Sequence, residues 1–100
     1  MFHEQYVPME SILKNALAEY VRALGCSADA TDRAEDRGRY QSHLAAAARM
    51  FADIEAGDLQ SLVARVAVER RNFGSDYLSG DAGARAEQAW VRFATEVERL

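Results

Sequence analysis

Over four successive segments of this chain, apolar residues recur at three-and-four spacing and nowhere sustain the alternation of a strand. That period restricts the fold to packed helices. The first helix is predicted over about residues 8–24, with Met9, Ile12, Leu13, Ala16, Leu17, Tyr20 and Leu24 on one face. Pro8 suits its first turn, where no N–H is required, and Gly25 supplies a terminator able to adopt the left-handed conformation. The second is predicted over about 32–56, from the capping spacing of Asp32 and Glu35 to Gly57. Its inward set reads Tyr40, Leu44, Ala47, Ala48, Phe51 and Ile54, and the alanines from Ala45 to Ala48 would let a neighbouring helix approach closely.

The third helix is predicted over about 59–73, capped by Asp58 and stopped at Gly74. Its stripe of Leu59, Leu62, Val63, Val66 and Phe73 also includes Arg70 by spacing, so the stem of Arg70 is expected to pack while its head reaches out. The fourth is predicted over about 82–99 behind an Asp81 cap, with Ala82, Ala86, Ala89, Trp90, Phe93, Val97 and Leu100 inward. Val7 precedes a proline and is pushed toward extended geometry, so residues 1–7 read as a short extended arm. The sum is an all-α, compact four-helix bundle-like single domain.

One hundred residues suffice for one hydrophobic core. A net charge of −4 opposes generic binding to a phosphate backbone. Cys26 is the only cysteine, so no disulfide can form within the chain. No apolar run approaches the roughly 18 residues of a membrane span, and the first residues lack the basic and apolar regions of a signal peptide. A cytoplasmic location, in a bacterium or a phage-infected host, is the expectation.

The chain holds no set of residues that names a reaction. His3, His43 and Cys26 lack zinc-ligand spacing, and His43 reads as a surface or boundary residue on its helix. Neither metal nor cofactor is expected. The carboxylate pairs Asp32/Asp36, Asp53/Glu55 and Glu96/Glu98 fall on predicted solvent faces, which does not place two acids in one cleft. The expectation is a protein without catalytic residues.

The stretch 69–83 stands apart from the alanine-rich remainder, because it combines glycines with arginines and aromatics. Arginine and aromatic side chains are the types enriched at interface hot spots. Arg70, Arg71, Phe73, Asp76, Tyr77 and Asp81 are therefore the candidate partner-binding residues, for a protein partner that includes subunits of nucleic-acid-binding complexes. The competing structural reading has Phe73 and Tyr77 plugging the end of the bundle while the arginines cap helix carbonyls. Val68 and Val91 lie off their helices' stripes and leave homodimer formation open. Segment 58–73 sets Arg65, Arg70 and Arg71 against Asp58 and Glu69, so a small DNA-binding regulator is an alternative, as is an antitoxin, immunity or regulatory subunit.

In size, acidic charge, helical architecture and absence of a catalytic set, the chain resembles small phage-encoded inhibitors, in particular the helical anti-CRISPR proteins. The resemblance implies a stoichiometric protein that occupies a subunit of a type I Cas surveillance complex and blocks target-DNA recognition. It also implies that acidic side chains face basic grooves. Asp29, Asp32, Glu35 and Asp36 form one such edge, and Asp76, Asp81 and Glu87 another.

Overall fold

The computed structural model describes residues 8–30, 34–75 and 80–100, with side chains for 8–26, 37–71 and 83–100. Four helices account for nearly all of it: α1 (Met9–Ala30), α2 (Ala34–Ala56), α3 (Leu59–Ser75) and α4 (Gly80–Glu98). The fold is all-α and four-helix bundle-like, and no strand occurs among the described residues. Each helix touches the next in chain order, and α4 returns to α1, while among the described residues the backbones of α1 and α3, and of α2 and α4, do not approach closely. Cross-helix polar contacts mark this ring: Lys14–Glu55 joins α1 to α2, Asp53–Arg65 joins α2 to α3, Arg70–Glu98 joins α3 to α4, and Glu19–Arg92 closes α4 onto α1. Packing is most extensive between α1 and α4 and least between α3 and α4. No helix among the described residues is long and apolar enough to cross a membrane.

The core follows from helix faces meeting around that ring. Leu13, Ala16, Leu17, Tyr20 and Leu24 of α1 are buried with Ala86, Trp90, Phe93, Ala94 and Val97 of α4. The Trp90 ring centroid lies 5.3 Å from that of Tyr20 and 6.0 Å from that of Phe93, both pairs tilted, within the range of favourable aromatic contacts. Met9 and Leu100, expected inward at the two stripe ends, are 42% and 43% exposed, Met9 as the first residue of α1 and Leu100 beyond the end of α4.

Several boundaries differ from the sequence expectation. Helix α1 does not stop at Gly25 but continues to Ala30, so residues 26–30 are helix rather than connector. Likewise α3 runs through Gly74 to Ser75, and α4 begins at Gly80, which puts Asp81 inside its first turn instead of at its cap. A glycine in a helix costs only about 1 kcal/mol relative to alanine, and neither glycine is followed by a proline, so the helical hydrogen bonds can continue through both. Only Gly57 among the described glycines adopts positive φ, at 71°.

Gly57 completes a Schellman closure at the end of α2. Its N–H donates to the Ile54 carbonyl at 3.1 Å, and the Asp58 N–H donates to the Asp53 carbonyl at 2.9 Å. Asp58 then caps α3. Its Oδ1 accepts from the Ser61 N–H at 3.1 Å and its Oδ2 from the Ser61 hydroxyl at 2.8 Å. The Ser61 hydroxyl, then the Ser61 amide, hold the Asp58 carboxyl below its ordinary pKa, with a smaller contribution from the Arg65 charge. A depressed folded-state value means that the cap contributes above the range where an unfolded aspartate titrates. That contribution fades as pH falls through the lowered value.

These backbones give opposite expectations for glycine-to-alanine changes. A Cβ built on Gly25 or Gly38 meets nothing within 4 Å, and both residues are helical without positive φ. Each substitution is expected to stabilise by about 0.5–1 kcal/mol. Gly57→Ala meets no steric obstacle either, but its left-handed backbone costs about 1–2 kcal/mol for any residue with a Cβ. Urea unfolding of the three variants checks the signs, and a stabilising Gly57→Ala would contradict the closure.

Candidate functional site

Helix α2 turns a different face inward from the one its apolar residues suggest. Tyr40, His43, Ala47, Met50, Asp53 and Ile54 are buried, Leu44 and Phe51 are only half-buried, and Ala48 is exposed. Of the alanine run, only Ala47 is fully enclosed, so the run does not serve as a flat face for close approach. On α3 the buried line is Leu62, Val66 and Glu69, with Leu59 and Val63 exposed. Arg70 therefore does not share the inward stripe. Glu69 takes that position, and the Arg70 side chain is 52% exposed.

The rotation is explained by two polar clasps across α2 and α3. His43 Nδ1 contacts Glu69 Oε2 with both residues at or below 5% exposure. Three turns away, the Arg65 Nε–H donates to Asp53 Oδ2 at 2.7 Å. Buried polar side chains persist when each satisfies another, so a histidine and two acids enter the packed face that a hydropathy stripe would deny them. His43 is thus a core residue, not a surface one. The only signal in the sequence was spacing: 40, 43, 47, 50 and 54 follow a three-four alternation once polarity is ignored.

The thin α3–α4 contact leaves a groove of about 270 Å³ lined by Val63, Val66, Ala67, Arg70, Val97 and Glu98. Val63, Ala67 and Arg70 follow one another along its α3 wall at helical spacing, and exposed Leu59 continues the line one turn before Val63. Arg70 reaches over the groove, its Nη2 at 2.6 Å from Glu98 Oε2. Beyond this face, α3 also exposes Val68. It lies in a second groove of about 300 Å³ beside Ala46, Arg49, Met50, Ala64, Arg65 and Glu69.

Of the residues singled out as partner-binding, Arg70 is thus part of a groove wall, and Arg71 is exposed on α3. Phe73 lies in α3 and Asp81 in α4, their side chains outside the described set. Asp76 and Tyr77 fall outside the described residues altogether, as do the arm 1–7 and the Asp32 cap. The same holds for the side chains of Asp29, Glu35 and Asp36. Glu87 is exposed on α4. Two of the three arginines considered for DNA contact already hold carboxylates, Arg65 on Asp53 and Arg70 on Glu98.

A third and larger groove, about 460 Å³, runs between α1 and α4. Glu19, Arg22, Ala23 and Cys26 line it from α1, and Arg85, Gln88, Ala89 and Arg92 from α4. Within the described residues, no group of three or more histidine, cysteine and acidic side chains converges as a metal site would require.

Fold and grooves together define an all-α, four-helix bundle-like protein with open inter-helix clefts. No family model, curated protein or solved structure matches the chain.

Proposed function

We propose that the chain acts without catalysis, by binding a protein partner through the α3/α4 face. Its most concrete form is an inhibitor of the anti-CRISPR kind that prevents a type I Cas surveillance complex from recognising target DNA. The observation that carries the protein-binding reading is the apolar ridge Leu59, Val63 and Ala67, left exposed beside the thinnest helix contact and ended by Arg70. The buried centre of an interface is more apolar than the surrounding surface and arginine is enriched there, which is the support this ridge lends. The Cas assignment rests on the resemblance in size, acidic charge and architecture. Commitment of Arg65 and Arg70 to carboxylates weighs against the alternative of a DNA-binding regulator.

Co-elution with purified type I surveillance complexes, and loss of their target-DNA gel shift, tests the specific form. Val63→Asp places a charge on the ridge at a position already 47% exposed. It is expected to weaken co-elution at least about tenfold, a change of roughly 1.4 kcal/mol, with the melting temperature held. Absence of co-elution with every such complex rejects the Cas form. Co-elution that survives Val63→Asp rejects the α3/α4 face.

A further inference from the structure

The α1/α4 groove differs from the other two in its charge. Residues 19, 22, 23 and 26 share one flank of α1, and 85, 88, 89 and 92 repeat the same spacing on α4. At the centre lie Ala23 and Ala89, both half-buried. Side chains this short leave the cleft open, where leucines would fill it. Around that floor stand three guanidiniums and one carboxylate. Glu19 is committed to Arg92, whose Nη1 donates to its Oε1 at 2.7 Å. Arg22 and Arg85 have no carboxylate within ion-pair distance among the described residues, although acids outnumber bases in the chain by 16 to 12.

We infer that this groove binds an acidic segment of a partner protein, with carboxylates on Arg22 and Arg85 and small apolar side chains against Ala23 and Ala89. Guanidinium groups pair with carboxylates in forked, charge-assisted hydrogen bonds, which suits them to this partner. Gln88, between the two arginines in the sequence of the α4 flank, adds an amide able to meet backbone or side-chain groups. The alanine floor favours a peptide over a free inorganic anion, since a lone anion gains nothing from apolar surface. The net charge of −4 opposes any extended polyanion, and a nucleic acid with a charge on every nucleotide more than a segment carrying a few carboxylates. This site lies on a different helix pair from the α3/α4 ridge and stands whether or not the inhibitor reading holds.

The test uses the intact chain and a fluorescein-labelled alanine–glutamate peptide of about four helical turns, with glutamates three and four apart. Fluorescence anisotropy at low and physiological ionic strength reads binding. A glutamine-substituted peptide and inorganic phosphate serve as controls. Saturable binding of the acidic peptide is expected, weakened at least about tenfold by the double variant Arg22→Ala/Arg85→Ala. Ala89→Leu is expected to weaken it as well, by filling the floor without removing charge. Cys26 is exposed and lines the groove, so its reaction with a maleimide should slow when the peptide is bound. Circular dichroism melts identify any variant that fails to fold, in which case the Ala89→Leu and Cys26 readouts decide. No saturable binding, equal binding of the glutamine peptide, insensitivity to the double arginine change, or protection of Cys26 by phosphate as strong as by the peptide each overturns the proposal.

Discussion

Glu69→Ala is expected to destabilise the protein by about 3–5 kcal/mol, because it leaves His43 enclosed between α2 and α3 without its carboxylate partner. A domain of this size is held by only about 5–15 kcal/mol in total, so the variant should show a much earlier urea midpoint or fail to fold. Most of that loss is the cost of leaving His43 Nδ1 buried without this carboxylate, not the worth of the pair itself. The double replacement His43→Leu/Glu69→Leu removes both polar partners and adds apolar surface to the α2–α3 seam. It is therefore expected to recover at least half of the loss, and an unfolding series of wild type, single and double variants measures it. A Glu69→Ala variant within about 1 kcal/mol of wild type would show that the pair is not buried as described.

Phe93→Ala is the second large effect. The ring has no exposed surface and sits beside Trp90 on the face of α4 turned to α1, the most extensively packed pair of helices. Truncation removes the transfer free energy of the ring and leaves a cavity that close-packed neighbours refill only in part. About 3–5 kcal/mol is expected, which for a domain of this length lowers the melting temperature by about 4–8 °C for each kcal/mol. Val91→Ala, two residues away on the opposite, 53% exposed side, is the matched control and should change stability by no more than about 0.5 kcal/mol. Thermal melts followed by circular dichroism compare the two, and equal effects would contradict the assigned face of α4.

The inward faces of α1 and α4 were readable from the sequence because their buried residues are almost all apolar. Leu13, Leu17, Tyr20 and Leu24, and Trp90, Phe93 and Val97, keep the helical period without interruption. The α2–α3 seam was not readable in the same way. Reading His43 as surface or boundary and Asp53 as solvent-facing turned α2 toward Leu44 and Ala48, and an α3 stripe without Glu69 placed Arg70 on it. Each of these polar residues meets a partner on the other helix, 12 or 26 positions away in sequence. Local periodicity carries no information about such pairs. The candidate partner-binding set was legible as a composition, arginines with aromatics among glycines, but composition does not separate a groove wall such as Arg70 from a residue of the last helical turn such as Gly74.

What the sequence determined by itself is local: four helical segments, the Asp58 cap and the Gly57 closure, since each depends on residues within a turn or two of one another. Tertiary structure decided where those helices present their polar residues, and that Arg22 and Arg85 flank one alanine-floored groove from two helices. The physical reason is the same in each case. A helix fixes its own hydrogen bonds, but burial and pairing of its side chains depend on its rotation about its axis, and only the neighbouring helices fix that rotation.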